Sequence, residues 1–432
     1  MTAAGADLRV GIAGLGTVGA ATCRLIQDQA DLLARRSGRR LKVTAVSARD
    51  RNRARGVELA DVRWHDDARA LAEDAEVDLV CELIGGEGVA LDLVRAALRR
   101  GRPVVTANKA MLALHGTELA RLAEHNDAQL RWEAAVAGGI PIIRSLREGL
   151  AANRILGVHG ILNGTCNFIL TTMRETGREF ADVLAEAQSL GYAEADPAFD
   201  VDGIDAAHKL ALLAALAFGG RPRFDAIDIE GIRHVSAMDI AFADQLGYRI
   251  KLLGVARMTP AGLEQRMHPC MVPASAPIGQ VEGVFNGVVV EGDEVGAVVH
   301  EGRGAGAGPT ASAVVADIMD IARGSVVPTF GVPVDALADH PIAPLAAHEG
   351  SYYIRLMVLD EPGVLADISA VLRDHLVSIE SLIQRGRNPG QAVPIVLTSH
   401  DTTEARMRDA LARIGVLPTV LEPPRMIRIE RS

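Results

Sequence analysis

The sequence predicts an α/β protein in three parts, and three observations carry that expectation. A short apolar strand, a glycine turn and a helical pattern open the chain. A β-rich middle section holds one long apolar helix, and the last stretch runs in the order βαββαβ. At 432 residues the chain is too long for one core. Aromatic residues make up only 3%, so the cores must be built from Ala, Val, Leu and Ile, which suits helices packed on a parallel sheet.

The first part reads as a nucleotide fold. Leu8 to Ala13 is a short apolar run that leads into Gly14-Leu15-Gly16-Thr17-Val18-Gly19. A helical pattern follows, then a strand from Lys42 to Val46. Strand, glycine turn, helix and strand form the context that GxGxxG requires for dinucleotide binding. Gly14 permits the tight turn, Gly16 lets the backbone approach a pyrophosphate, and Gly19 lets helix and strand pack closely. Thr17 and Val18 begin the helix, whose N-terminus offers free N–H groups to phosphates. After the second strand come Ser47-Ala48-Arg49, with an acid only at Asp50. NAD sites usually place an acid at that strand end, so Arg49 points to NADP(H) in preference to NAD(H). Asp78 to Ile84 and Pro103 to Ala107 read as further parallel strands. The latter runs into Asn108-Lys109, which puts Lys109 at a strand carboxyl end, where open parallel sheets gather their ligands. Arg131 to Ala135 is a further short strand.

Charge and cysteine usage exclude several classes. A formal net charge of −10 argues against a nucleic-acid partner, and Arg35, Arg36, Arg39 and Arg40 read as a solvated helix end. Cys23, Cys81, Cys166 and Cys270 lie far apart, which is neither a zinc pattern nor a disulfide framework and fits a reducing cytoplasm. The opening MTAAGADLRVGIAG has no basic region followed by an apolar core, so no secretory leader is expected. The apolar helix Leu210 to Phe218 is far too short to cross a bilayer.

The middle carries the candidate chemistry. Glu133 to Ile143, EAAVAGGIPII, looks like a crossover between domains. Asn163-Gly164-Thr165 follows a strand from Ile155 to Leu162 and reads either as helix capping or as a polar cradle for a small substrate. The stretch from Gly191 to Lys209 places five carboxylates ahead of one lysine. Its spacing lacks the ligand order of an EF-hand. Asp205 and Lys209 are four apart and share a helix face. The helix beyond them is almost wholly apolar, so a lysine with a carboxylate partner there is a candidate site residue. Gly302 to Thr310, GRGAGAGPT, lacks a Walker ending and is expected as a flexible lid or hinge over the cofactor, followed by a helix from Ala311 to Arg323.

Taken together, these segments make the chain resemble the bacterial single-function homoserine dehydrogenases over essentially its full length. The matching motifs are GLGTVG, VVTANKAML, EAAVAGGIPII, LNGTCNFIL, GYAEADPAFDVDGIDAAHKLALL and GRGAGAGPTASAV. The resemblance implies reduction of L-aspartate 4-semialdehyde to L-homoserine, with Lys209 as proton donor and Lys109 contacting both cofactor and substrate. It implies that Asp205 holds the substrate hydroxyl and orients Lys209, and that Glu194 binds the substrate amine. Thr165 and Tyr192 fall in substrate loops, and Gly306 lies in the loop assigned to the cofactor. Glu133, Val136, Gly138 and Ile140 match a sodium site built mainly from backbone oxygens. Asp202 stands where another member of the family carries Asn.

The C-terminal βαββαβ pattern is ferredoxin-like. It looks like an ACT domain, whose DEPGVL turn commonly faces an amino acid; the implied effector is L-threonine, and the alternative is a dimerisation module. The expected layout is therefore a Rossmann-type NADP-binding domain over residues 1–135, completed by a helix at 310–325. An α+β catalytic and dimerisation domain follows at 136–309, a linker at 326–349, and the ACT domain at 350–432. The expected state is a cytoplasmic homodimer or homotetramer serving threonine, methionine and isoleucine biosynthesis. Two rival readings are another ACT-regulated amino-acid dehydrogenase and a non-catalytic amino-acid sensor. The other dehydrogenase is disfavoured because its site would not need the Glu194-to-Lys209 stretch, and the joint presence of Lys109, Glu194 and Lys209 argues against the sensor.

Overall fold

A computed structural model describes residues 6–385 and 390–431. The chain folds into two compact units and crosses between them more than once. The first unit holds 1–164, 205–227 and 284–340; the second holds 165–204, 228–283 and 341–432.

The first unit opens with a six-stranded parallel sheet. Its strands are β1 (Leu8–Ala13), β2 (Leu41–Ser47), β3 (Arg63–His65), β4 (Leu79–Glu82), β5 (Val104–Thr106) and β6 (Leu130–Arg131), in the order β3-β2-β1-β4-β5-β6. All five pairings are parallel, and the helices Thr17–Asp28, Gly88–Arg99 and Lys109–His125 provide the crossovers that parallel strands need. This is the Rossmann-type doubly wound arrangement, whose order reverses beside β1. The alternation of apolar residues becomes near-continuous burial in β1 and β4, because both sheet faces are covered. Val10, Ile12, Val46, Leu79, Cys81 and Val105 form the core, and Ala313, Val314 and Ile318 of the helix Ala307–Ala322 join the same core.

The same unit contains three antiparallel strands. Phe285–Gly292 lies between Ile155–Ile161 and Gly296–Arg303. The apolar helix Ile204–Phe218 buries most of its residues, from Ala206 through Leu216.

In the second unit the strands Tyr248–Thr259 and Gly262–Pro273 make one long hairpin. Beyond it, Glu349–Leu359 pairs on one side with Arg425–Ile429 and on the other with Ala392–Ser399, which in turn pairs with Ile379–Gln384. The helices Val364–Asp374 and Glu404–Ile414 share a core with this sheet through Ile368, Leu372, Met407 and Ile414. The result is the expected βαββαβ ferredoxin-like order. Its last strand also pairs in parallel with the hairpin, through Cys270 with Arg428 and Met271 with Ile429.

Buried ions mark this junction. The Arg266 guanidinium, fully buried, sits 2.5 Å from Glu264 and 2.5 Å from Glu430. Arg428 donates to Glu404 at 2.9 and 2.5 Å.

Two local expectations are corrected and two others are refined. The strand expected over 131–135 ends at Arg131, because Trp132 turns the backbone (φ −155°, ψ 32°) into a single 3-10 turn at Glu133–Ala135. Glu133 to Ile143, expected as a crossover, is mostly buried and packed within the first compact unit. The expected lid at 302–310 is mostly regular structure: the strand runs to Arg303 and the helix starts at Ala307. Pro309 is tolerated there because the first helical turn has no intrahelical acceptor for its missing N–H. Residues 326–349, expected as a linker, are anchored at intervals by buried residues, with exposed residues between the anchors. Phe330 is buried against Trp132 at 5.5 Å between ring centroids, and Leu263 N donates to Pro341 O at 2.7 Å.

Candidate active site

Gly203, with φ +85°, ends the turn that precedes the Ile204–Phe218 helix. Asp205 and Lys209 therefore stand one turn apart at the helix start. Lys209 Nζ donates to Asp205 Oδ2 at 2.7 Å and to the Leu162 carbonyl at 2.7 Å. Lys109 is the first residue of its helix, just beyond β5, and Asn108 caps that helix by accepting from Met111 N at 3.2 Å. Lys109 Nζ lies 2.9 Å from Asp205 Oδ1. Two ammonium groups, remote along the chain, thus meet on the two oxygens of one buried carboxylate. Asn163 Nδ2 adds a donor to Asp205 Oδ2 at 2.9 Å.

The electrostatics follow from this geometry. Burial by itself would raise the Asp205 carboxyl, but Lys209 and Lys109 outweigh it and hold the group well below the usual carboxylate range. Asp205 stays charged. An ammonium has three donors, and Leu162 and Asp205 take two of those on Lys209. The third can serve a substrate oxygen. The Lys209 side chain is 11% exposed and that of Lys109 is 32%, so both retain access.

The glycine turn has the form its sequence requires. Gly14 sits at φ +92°, where a Cβ would lie 2.4 Å from the Leu83 carbonyl, and a Cβ at Gly19 would lie 1.8 Å from the Gly14 carbonyl. A Cβ at Gly16 would meet nothing within 4 Å, so that position borders open space. The helix beginning at Thr17 and Val18 has no side-chain cap hydrogen bond. Its N–H groups are suited to phosphate oxygens. A cleft of about 790 Å³ adjoins the turn and is lined by Gly14, Gly16, Ser47, Arg49, Arg53 and Arg55, among others. Arg55 donates to the Leu15 carbonyl at 3.2 Å and lies over the Trp64 ring. The residues present fit a dinucleotide, and the cleft is also lined by Asp50, Asp66 and Asp67. Sequence reasoning misses Arg53 and Arg55, although the alternating arginines from Arg49 to Arg55 are a visible signal. Gly306, at φ +114°, is the residue before the Ala307–Ala322 helix, which also has no side-chain cap hydrogen bond.

Thr165, Tyr192 and Glu194 belong to the second unit. Thr165 Oγ1 donates to the Tyr192 carbonyl at 2.7 Å, and Tyr192 meets Phe168 edge-on at 5.0 Å. Gln188 Nε2 holds the Glu194 carbonyl at 2.9 Å, and Glu194 is exposed. Asp202 is paired with Arg233, which accounts for its charge.

Glu133 lies in a buried turn. Its carboxylate accepts from Ile143 N at 3.0 Å and from Arg144 N at 2.9 Å, while its own N–H donates to Asp317 at 2.8 Å. Burial pushes the Glu133 carboxyl up to about 7, with Asp317 adding to the rise, and burial pushes Asp317 up to about 6. Ala137 adopts φ 50°, and its carbonyl accepts from Ile140 N at 2.7 Å. A Cβ at Gly138 would lie 2.7 Å from the Gly304 carbonyl and 3.1 Å from Thr310 Oγ1, so this stretch of backbone faces oxygens closely. Among the described residues no group of three His, Cys, Asp or Glu side chains could hold a metal. No helix among the described residues is long and apolar enough to cross a membrane.

Known proteins match the chain along its length. Residues 14–133 match the homoserine dehydrogenase NAD-binding domain, 141–319 the homoserine dehydrogenase domain and 352–419 the ACT domain. A homoserine dehydrogenase of Pseudomonas aeruginosa is 47% identical over 431 residues, covering 98% of this chain and 99% of that protein. The crystal structure of a homoserine dehydrogenase from Thiobacillus denitrificans is 44% identical with a TM-score of 0.94, covering 99% of each chain. A hyperthermophilic archaeal homoserine dehydrogenase in complex with NADPH is 29% identical with a TM-score of 0.63, covering 73% of this chain and 97% of that one. With a nicotinamide-nucleotide domain, paired lysines and an ACT domain on one polypeptide, the chain belongs to the homoserine dehydrogenase family, NAD(P)-dependent oxidoreductases acting on a CH–OH group.

Proposed function

We propose that the chain reduces L-aspartate 4-semialdehyde to L-homoserine with NADPH, and that Lys209 delivers the proton. The observation that carries this reading is the meeting of Lys109 and Lys209 on Asp205, at 2.9 and 2.7 Å. When bound, the nicotinamide supplies a hydride to the aldehyde carbon. The oxygen then gains negative charge, and an ammonium aimed at it both stabilises that charge and protonates it. In this reading Lys209 gives the proton from its third N–H. Asp205 and the Leu162 carbonyl hold the side chain still, so little orientational freedom is lost on binding. Lys109 contacts the cofactor and the substrate. Glu194 pairs with the substrate ammonium, and Thr165 and Tyr192 shape the loop around it. Catalysis runs in reverse when the alcohol is the substrate, with Lys209 as base.

The preference for NADP(H) over NAD(H) rests on Arg49, Arg53 and Arg55 in the cleft beside Gly14 and Gly16. The dianionic 2′-phosphate suits guanidinium groups. Gly306 is assigned to the rim of the cofactor site. A sodium ion at Glu133, Val136, Gly138 and Ile140 would be structural, relieving the cost of a buried carboxylate.

Regulation by an amino acid, with L-threonine as effector, rests on the ACT domain. The proposed layout keeps 1–135 for NADP binding, 136–309 for catalysis and dimerisation, and 350–432 for regulation. The assembly is a homodimer or homotetramer in the cytoplasm, feeding threonine, methionine and isoleucine synthesis. The test is NADPH oxidation with aspartate semialdehyde, run in parallel with NADH and with L-threonine added. Turnover with NADPH that exceeds turnover with NADH supports the reading, and no turnover with either overturns it.

A further inference from the structure

The Glu82 carboxylate is completely buried at the carboxyl end of β4, and its hydrogen bonds come from backbone amides and a hydroxyl. One of its oxygens accepts from Ile84 N at 2.8 Å and from Gly85 N at 2.9 Å. The other accepts from the Thr106 hydroxyl at 2.6 Å. Thr106 Oγ1 in turn accepts from Asn108 N at 3.0 Å. Asn108 closes the circuit: its Nδ2 donates to the Gly86 carbonyl at 2.6 Å, and its Oδ1 caps the helix on which Lys109 is the first residue.

A carboxylate placed where water cannot reach it costs several kcal/mol unless hydrogen bonds compensate. Here those bonds come from two loops with different duties. Ile84 lines the same cleft as Gly14 and Gly16, and Gly85 and Gly86 both adopt positive φ (+80° and +74°) to bring their backbone round. The Thr106–Asn108 arm ends at Lys109. A neutral hydroxyl or amide in place of Glu82 could accept fewer of these bonds, and a shorter side chain would reach only one loop.

We propose that Glu82 is a positioning residue that fixes the cofactor-side turn at Ile84–Gly86 and the Lys109 ammonium relative to each other. Two arms leave it. One sets the wall of the nucleotide cleft, and the other, through Thr106 and Asn108, sets the helix start. The inference rests on the role proposed for Lys109 in cofactor and substrate contact.

The test uses the full-length chain with three variants, measuring steady-state kinetics and NADPH binding by fluorescence, with circular dichroism to confirm folding. Glu82→Ala is expected to lower kcat by about a hundredfold, the scale of an ångström's misplacement of a reacting group, and to weaken NADPH binding. Glu82→Gln keeps the shape and an acceptor for the turn but turns a donor toward Thr106, so it is expected to restore NADPH binding while kcat stays about tenfold low, as in Thr106→Val. Thr106→Val cuts only the Lys109 arm, so kcat is expected to fall about tenfold while NADPH affinity stays within about twofold. A merely structural role would not split the two quantities in this way. Wild-type kcat and NADPH affinity in Glu82→Ala would overturn the proposal, as would wild-type kcat in Thr106→Val. The Thr106→Val result decides alone if Glu82→Ala does not fold. Lys109→Met separates this from the parent reading. Full activity in Lys109→Met sinks the role of Lys109 itself, whereas an inactive Lys109→Met beside a fully active Thr106→Val sinks only the positioning by Glu82.

Discussion

Lys109 and Lys209 are bound to opposite oxygens of the same carboxylate, at 2.9 and 2.7 Å from Asp205. That relationship ties the strand-end helix of the nucleotide fold to the apolar helix of the middle section. Asp205 is the hinge of the site, and replacing it tests the electrostatic part of the account. In Asp205→Asn the two ammonium groups lose their counter-charge. We expect kcat to fall about a hundredfold through lost orientation, with NADPH affinity little changed. The stability consequence has a definite sign. A carboxylate held below its ordinary value contributes stability above about pH 4, and that contribution is lost as pH falls through the lower, folded value. The gap in urea midpoint between wild type and Asp205→Asn should therefore be constant from neutral pH down to about 5 and close below about 4.

Glu133 and Asp317 behave in the opposite sense. Their carboxyls are raised, to about 7 and about 6, chiefly by burial. The folded chain therefore takes up protons that the unfolded chain releases. Stability should rise as pH falls from about 8 towards about 5, on the order of 3 kcal/mol if Glu133 alone followed its raised value. Thermal unfolding across that range checks it, and Glu133→Gln should flatten the upper part of the profile.

The ion network beside the ACT sheet is a stability element. Arg266 is fully buried between Glu264 and Glu430, so Glu430→Gln leaves a buried charge short of one partner. Removing one member of such a pair costs about 3 kcal/mol or more. We expect a lower urea midpoint in Glu430→Gln with the same m-value, and near-normal NADPH binding, because the nucleotide sheet lies in the other unit.

The cofactor preference is tested at Arg49, which lines the cleft by Gly14. Arg49→Ala should raise the KM for NADPH about tenfold, as a lost charge-assisted contact of about 1.5 kcal/mol would. The KM for NADH should change little. An equal rise for both cofactors would place Arg49 away from the extra phosphate.

Much of the fold and part of the site are legible in the sequence, for identifiable reasons. The Gly14, Gly16 and Gly19 turn follows from local backbone demands, and a Cβ at Gly14 or Gly19 would indeed strike a carbonyl oxygen. Asp205 and Lys209 share a face because helical spacing alone requires it. The βαββαβ tail is readable from alternation and turn chemistry. Other features depend on tertiary contacts that no periodicity reports. The meeting of Lys109 with Asp205 joins segments far apart in the chain, and only the family resemblance suggests it. The Leu162 carbonyl that holds Lys209 has no residue signature, since every residue carries a carbonyl. Glu82 belongs to a strand that reads as ordinary and buried, and its circuit through Thr106 and Asn108 emerges only when the chain is folded. At 302–310 the glycine content suggests a mobile loop, but Pro309 occupies a first-turn position that a helix accepts. Gly304 is needed for a different reason: a Cβ there would fall 2.2 Å from the Asn286 side chain.

The most direct measurement is NADPH oxidation by aspartate semialdehyde in Lys209→Ala, with NADPH binding measured in the same preparation. The account predicts a loss of kcat of about 10²–10⁴-fold, the usual contribution of a positioned general acid, with cofactor affinity retained. A Lys209→Ala protein that binds NADPH and turns over like the wild type would contradict it.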